Sequence, residues 1–412
     1  MMNCRSLRPL QPGGFSFIHH SSFIVHHFMG KFLFYLAAVT VVAYVLMTID
    51  LWQGNRRIRS LKDIASLEQT VWPRVSVVIA ARNEARHIEE ALQSVLNQDY
   101  SPLEVIVADD RSTDETGGIL DRMAARNVRL RPLHITELPP GWLGKNHALD
   151  FAARQATGDF LLFTDADIIM HPTAIRRAVS YAERERRDHI TMGPEGHMPG
   201  VMLNAFLGVF GLFFALFAKP WKAADPRSSR FIGIGAFNLV RAEAYRQIGG
   251  HQKIRMRPDD DMKLGKVLKQ SGYRQEVLHG VGMISVEWYA SVRELIAGTE
   301  KNFFAGLEYS LALVAGGALL QLVWFLWPFI GVFVTHGATR WLNLASVLIV
   351  MAGYARGARL VGARRRYALL FPFAVLLFLY LMWNATRKTI QNDGINWRDT
   401  HYSLAELKAN KV

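Results

Sequence analysis

Five stretches of this chain carry no charged side chain, and they frame a long segment of quite different character. Phe32–Ile49, Val201–Ala218, Leu311–Val334, Trp341–Ala355 and Ala368–Thr386 contain no Asp, Glu, Lys or Arg. A helix that crosses a bilayer needs about 20 apolar residues, with ~17 as a lower limit. The first, third and fifth stretches meet that requirement, and the fourth meets it with its flanks. Between Arg56 and Lys301 most of the sequence reads instead as a soluble α/β domain. Charged residues make up 20% of the chain. That is close to a normal globular share, and it excludes both a disordered chain and one that is membrane helix throughout. The single cysteine, Cys4, excludes an intrachain disulfide, a cysteine-based zinc site and a secreted, stapled fold. The formal charge of +13 points to membrane topology and anionic headgroups. Nucleic acid is the weaker reading, because no basic stripe is interleaved with aromatics.

The expected organisation follows from these stretches. Residues 1–30 form a disordered segment, in which the pairs His19–His20 and His26–His27 are filler rather than metal ligands; Met29 is an alternative start. Residues 31–50 are a membrane anchor, because no small-residue cleavage site follows them. Arg56, Arg57, Arg59 and Lys62 follow the anchor and only Lys31 immediately precedes it, which places the domain at 72–308 in the cytoplasm. The five arginines between Arg356 and Arg366 agree, if Leu311–Val334 exits and the next span returns. Residues 309–386 hold three spans, and the tail 387–412 then falls on the outside, although it is basic. A crossing at Val201–Ala218 would separate acids that belong together, so 201–218 is expected to lie in the interface.

Within the domain, Val75–Ala80 (VSVVIA) is a β-branched run of the kind found in strands buried on both faces. Ile88, Ala91, Leu92, Val95 and Leu96 then recur at helical spacing. Glu104–Ala108 and Phe160–Thr164 are further strands, with helices at Ile119–Met123 and Asn146–Ala156 between them. This rhythm predicts a mostly parallel, Rossmann-like sheet covered by helices. Ligands of such sheets bind beyond the carboxyl ends of the strands. Acids gather there: Glu84 after the first strand, Asp109 and Asp110 after the second, Asp165 and Asp167 after the last. So much negative charge calls for a cation, and hard carboxylate oxygens suit Mg2+ or Mn2+. Asp165 and Asp167 are two apart and can point to the same side, as a metal bridged to a diphosphate requires. Asp109 and Asp110 are placed to accept hydrogen bonds from a base and a ribose, whereas Asp114 is a helix cap.

Gly141–Asn146 (GWLGKN) is not a P-loop, since no Ser or Thr follows Lys145. Lys145 at a helix start still suits an anionic ligand. Pro258-Asp259-Asp260-Asp261 precedes another helix, and three adjacent acids exceed what capping needs. One of them is a candidate general base.

Taken in order, PRVSVVIAARNEARHIEEALQSVLNQDY, EVIVADDRSTDET, PPGWLGKNHAL, GDFLLFTDAD, GAFNLVRAEAYRQIGGH and DDDMKLGKVLKQSGY resemble the inverting family 2 glycosyltransferases with the A-type nucleotide-sugar fold. The resemblance covers about Pro73 to Ser310. The membrane layout is similar to the lipid-directed branch that includes carotenoid, hopanoid and ceramide glycosyltransferases. It implies that Glu84, Asp109, Asp110, Lys145 and Asp165 bind a nucleotide sugar, a UDP-sugar in the first instance, and that Asp165 and Asp167 hold the metal. The family's Glu-Asp pair falls on Asp260-Asp261, making Asp261 the expected base and Asp260 its rival. Arg293 and Lys301 are either diphosphate contacts or residues that snorkel to headgroups. The expected activity is sugar transfer from a nucleotide sugar to a hydroxyl of a membrane lipid, on the cytoplasmic side of the cell membrane. The alternatives are a polysaccharide or polyprenyl-phosphate sugar synthase, and a non-catalytic membrane scaffold. The Gln-x-x-Arg-Trp motif of the polymer synthases is missing, since Gly337 stands three residues before Arg340-Trp341. A transporter would carry ionisable residues within its spans, and these hold no charged residue.

Overall fold

The computed structural model describes residues 15–67 and 71–412, with side-chain surroundings from His27 onward. In chain order its elements are α1 (Phe15–Asn55), β1 (Val75–Ala81), α2 (Ile88–Leu96), β2 (Leu103–Asp110), α3 (Thr116–Ala124), β3 (Leu130–Ile135), α4 (Gly144–Ala153), β4 (Phe160–Asp165), β5 (Ile169–Met170), α5 (Ala174–Arg184), β6 (His189–Gly193), β7 (Glu195–His197) and α6 (Val201–Ala218). They continue with β8 (Asn238–Arg241), α7 (Ala242–Gln247), α8 (Asp260–Gln270), β9 (Gln275–His279), β10 (Ile284–Glu287), α9 (Val292–Gly306), α10 (Leu311–Leu320), α11 (Trp327–Val334), α12 (Gly337–Gly357), α13 (Phe371–Gln391), β11 (Gly394–Trp397), β12 (Thr400–Ser403) and α14 (Leu404–Ala409). α1 already begins at Phe15, so helix replaces the disorder expected over residues 15–30. Residues 1–14 and the side chains of His19, His20 and His26 lie outside the described residues.

The central sheet has the order β3-β2-β1-β4-β8-β6-β9. β8 alone runs against its neighbours, and the other pairings are parallel. The alternation of each strand splits the core in two. Val75, Val77 and Ile79 pack with Leu92 of α2, Leu120 of α3 and Ile175 of α5. Val78 and Ile106 pack on the other face with Leu149 of α4, Tyr245 of α7 and Leu264 of α8. Chain order reverses between β1 and β4, so a crevice opens at their carboxyl ends, where doubly wound sheets place ligands. A small sheet, β5-β10-β7, flanks that crevice.

A third apolar body lies beside the domain. It joins Tyr44 of α1, Phe206 and Val209 of α6, Phe304 of α9, Val350 and Tyr354 of α12, and Phe371 and Leu381 of α13. Five of its helical segments are long and apolar enough to cross a membrane. α10 and α11 form one continuous rod through a π-helical stretch, Gln321–Leu326, where the Tyr44 hydroxyl bonds the Trp324 carbonyl.

The two remaining apolar helices are held differently. α6 leaves the domain at β7, and just past its end Lys219 Nζ lies 2.7 Å from Asp50 of α1. α13 is tied at both ends as well. Arg364 N–H, just before it, donates to Asn204 of α6 at 2.7 Å, and Lys388 in its last turn pairs with Glu300 of α9 at 2.5 Å. Phe378, midway along α13, meets Phe213 of α6 at 5.0 Å and Phe303 of α9 at 4.9 Å. The tail beyond α13 then folds against the domain. Asn410 accepts from Met256 N–H and donates to Lys253 O, both at 2.9 Å, and Leu407 is fully buried. The expectation that residues 387–412 lie across the membrane from the domain is therefore corrected. Parity of charge-free stretches misjudged it, because the tail beyond α13 is bonded to the domain at Met256 and Lys253.

Candidate active site

The crevice beyond β1 and β4 gathers acids from four separate segments. β4 ends at Asp165, whose Oδ1 lies 2.8 Å from Lys145 Nζ. Lys145 comes from the first turn of α4, and its ammonium is also 3.6 Å from Asp260 Oδ1 at the start of α8. Gly235 closes the third side. Its N–H donates to Asp261 Oδ2 at 2.7 Å, and a Cβ there would stand 2.8 Å from Asp165 Oδ2. Only glycine lets the backbone pass between these two carboxylates. Asp165 of the β4 end and Asp260 and Asp261 of the α8 start thus line one pocket with Lys145, Asn238 and His251.

The electrostatics differ from acid to acid. Burial would raise Asp165, but Lys145 overrides it and holds the carboxyl below its usual range. Asp167 has no basic partner among the described residues. Burial, then Asp165, then Glu84 push it up to about 7. Burial raises Asp260, against the pull of Lys145. Asp261 is pushed up to about 7 by burial and by Asp260, although the Met262 and Gly235 N–H groups both donate to it at 2.7 Å. Burial alone would lower Lys145, yet Asp165, Asp260 and Asp261 hold its ammonium well above the ordinary value. Lys301 is lowered to about 8, by burial first and then by the charge of Lys145.

No group of three or more His, Cys, Asp or Glu among the described residues is arranged to hold a metal by itself. The donors nevertheless fit a hard divalent cation. Mg2+ commonly takes one or two carboxylates and fills its shell with phosphate oxygens. Asp167, half-buried and raised by desolvation and then by the charges of Asp165 and Glu84, is a carboxylate that a cation would relieve.

The other side of the crevice is built from the β1 and β2 ends. Asp110 accepts from Arg111 Nε at 2.8 Å and Nη2 at 2.9 Å. Gly144, at the start of α4, makes room for it, since a Cβ would come within 2.3 Å of Asp110 Oδ2. Asp109 Oδ2 meets His134 Nδ1 at 3.1 Å, while Oδ1 is buried and meets no donor. The other His134 nitrogen faces Asp121 at 2.9 Å. Arg293 is exposed at the start of α9, and no contact among the described residues brings it to the crevice. Of the two expected diphosphate contacts, Lys301 stands close enough to feel the charges of Lys145, Asp260 and Asp165, and Arg293 does not reach them by any contact among the described residues.

Several residues in the crevice carried no signal in the sequence. Arg82 lies 3.9 Å from Asp110 and 3.6 Å from Asp399. The Tyr402 hydroxyl accepts from Gly144 N–H at 3.2 Å, occupying the helix start. Arg398 pairs with Glu84, and Lys301 Nζ stands 4.1 Å over the Trp397 ring. Tail residues arrive here from more than 300 positions downstream of Glu84, so no local spacing announces them.

Comparison with known proteins bears on the family and the fold. Residues 76–249 match the family described as glycosyl transferase family 2. The 4,4'-diaponeurosporenoate glycosyltransferase of Staphylococcus haemolyticus is 25% identical over 237 residues, covering 56% of this chain and 61% of that protein. The chain thus spans about three fifths of that relative's length. The enzyme of the same description from Staphylococcus aureus strain MRSA252 is 20% identical over 341 residues, 81% of this chain and 89% of its own. Among solved structures, the mannosyltransferase PcManGT from Pyrobaculum calidifontis, in complex with GDP-Man and Mn2+, superposes with a TM-score of 0.51 at 22% identity, over 87% of this chain and 98% of its own; that likeness concerns the fold. This chain carries a glycosyl transferase family 2 domain with the A-type architecture.

Proposed function

We propose that this protein is an inverting glycosyltransferase that moves a sugar from a nucleoside diphosphate sugar to a hydroxyl of a membrane lipid. The observation that carries the reading is the meeting of Asp165, Asp260 and Asp261 around Lys145. Asp165 and Asp167 would hold Mg2+ or Mn2+, which when bound neutralises charge on the departing diphosphate. Lys145 adds a fixed positive charge on the same side. Glu84, Asp109 and Asp110 face the nucleoside, with Asp109 Oδ1 as a free acceptor for a base N–H.

Asp261 is the general base of this reading. A base works best when its pKa lies near the working pH, and Asp261 stands at about 7. It takes the proton of the acceptor hydroxyl as the oxygen attacks the anomeric carbon. Attack comes from the face opposite the leaving diphosphate, so the configuration inverts.

The lipid acceptor has an apolar approach. Phe213 of α6, Phe303 of α9 and Phe378 of α13 pack together. Phe210 continues the surface to Trp288 at 4.8 Å, and Trp288 stacks on Tyr289 at 5.4 Å. Tyr289 in turn feels the charges of Asp167 and Asp165. The curated relatives, whose name gives 4,4'-diaponeurosporenoate as what they glycosylate, support an apolar lipid as acceptor, although that molecule offers a carboxylate and not a hydroxyl.

In this reading α1, the α10–α11 rod and α12 cross the bilayer, while α6 and α13 lie in its cytoplasmic interface. Three crossings leave the domain, the arginine-rich loop and the tail on one side, where basic residues belong.

The test is transfer by the purified protein in lipid nanodiscs supplied with UDP- or GDP-sugars and Mn2+, followed by mass spectrometry of the lipids. One sugar added to a lipid hydroxyl is the expected product. A ladder of chain lengths or a phosphate-linked sugar rules the acceptor class out. Undiminished transfer by Asp261→Asn removes the base assignment.

A further inference from the structure

The tail reaches the crevice as a hairpin. β11 and β12 pair antiparallel with Trp397 opposite Thr400, leaving Arg398 and Asp399 as a two-residue turn. Both have positive φ, 49° and 62°. Such turns favour Asn-Gly, because side chains other than those of Gly, Asn and Asp resist the left-handed region. Arg398 at the first position is an expensive choice for a turn that only had to reverse the chain. Strained backbone of this kind collects at functional sites.

The hairpin is fixed at its base and free to act only at its tip. α13 is clamped before it by the Lys388–Glu300 pair. After it, the Ser403 and Glu406 side chains form a reciprocal cap on α14, and Asn410 ties the following residues to the domain. From this anchored frame the tip projects three groups into the site: Trp397 beneath Lys301, Arg398 onto Glu84, and Asp399 toward Arg82. Glu84 itself belongs to the carboxyl edge of β1, next to the β4 end that carries Asp165.

Resting on the reading above, we propose that Arg398 is a donor-binding residue: its guanidinium leaves Glu84 and takes the diphosphate of the bound nucleotide sugar, so the tail hairpin completes the donor site. The chemistry is that of a planar fork, which matches a carboxylate and a phosphate equally well and binds either through two N–H groups. The exchange also balances charge. Glu84 holds Arg398 while the site lacks donor, and the incoming diphosphate supplies the replacement anion. Lys301, kept over the Trp397 ring, is carried on the same hairpin contact and faces the same leaving group.

The experiment is calorimetry on the full chain in nanodiscs with Mn2+, titrating UDP, GDP, UMP and GMP into wild type, Arg398→Ala and Arg398→Lys. For the base that wild type binds, Arg398→Ala weakens the diphosphate by about tenfold or more and the monophosphate by less than about threefold. Arg398→Lys falls between, because it keeps the charge and loses the fork. Equal losses for diphosphate and monophosphate, or unchanged or tighter diphosphate binding, overturn the inference and leave the glycosyltransferase reading intact. Tighter binding would mark the tip as a plug. If wild type binds none of the four nucleotides, both readings fall together. Should Arg398→Ala not fold, Arg398→Gln, which retains a hydrogen bond to Glu84, takes its place under the same criteria.

Discussion

Asp260 and Asp261 are neighbours in sequence with different surroundings. Asp260 faces the Lys145 ammonium, whereas Asp261 is met by two backbone N–H groups and raised by Asp260 itself. The unprotonated carboxylate is the working form of a base, so transfer is expected to fall as pH drops through about 7. Asp261→Asn lowers kcat by about 10²–10⁴-fold and abolishes that limb of the profile. Asp260→Asn removes a negative charge that holds the Asp261 proton, so the same limb moves to lower pH. A limb that stays in place in Asp260→Asn disproves the coupling. The linkage to stability has the opposite sense. A carboxyl raised on folding costs stability as pH climbs from its unfolded value near 4 toward its folded value near 7, so thermal denaturation of the protein without metal should show Asp261→Asn gaining most at neutral pH. At this scale the acids were legible, because strand-end and helix-start acids announce themselves in a few consecutive letters. His134 and Arg82 were not, since each acts through a partner on another strand or loop.

Helix α8 illustrates what elements contribute. Its first turn presents Asp260 and Asp261, and its position depends on a close approach to the segment before β8. A Cβ at Gly265 would lie 1.9 Å from the Ile232 carbonyl oxygen. Gly265→Ala removes no chemical group and should cost about 1–3 kcal/mol of stability as overpacking, with kcat reduced and diphosphate affinity retained, measured by thermal melting and calorimetry. Equal stability and activity would show that α8 is not placed by this contact. The strands β1, β2 and β4 and their helices were readable because buried β-branched runs and 3.6-residue spacing are strong local signals. β7, with three residues, and the hairpin β11–β12 were not, because short polar strands have no such pattern and are defined by their partners.

For the molecule as a whole, the sequence told apart apolar helices and domain, and the proposed topology departs from it at one helix, α13, which the sequence reads as a span. Length and apolarity describe α13 and α12 alike; only the bonds at both ends of α13 distinguish a helix that rests on the domain. With Cys4→Ser as background, single cysteines at Asp188, Arg365 and Lys411 should react with an impermeant thiol reagent from the same side of the bilayer, and one at Ala338 from the other. Labelling of Lys411→Cys together with Ala338→Cys would return α13 to the list of true spans.

The hairpin that meets Glu84 is synthesised after every helix of the membrane body. A nascent chain still on the ribosome, with its soluble domain finished, therefore has Glu84 in place and no Arg398 to face it. If Arg398 completes the donor site as proposed, competence to use an activated sugar arrives only when membrane insertion is over, and a domain excised at Gly306 would remain permanently in that immature condition.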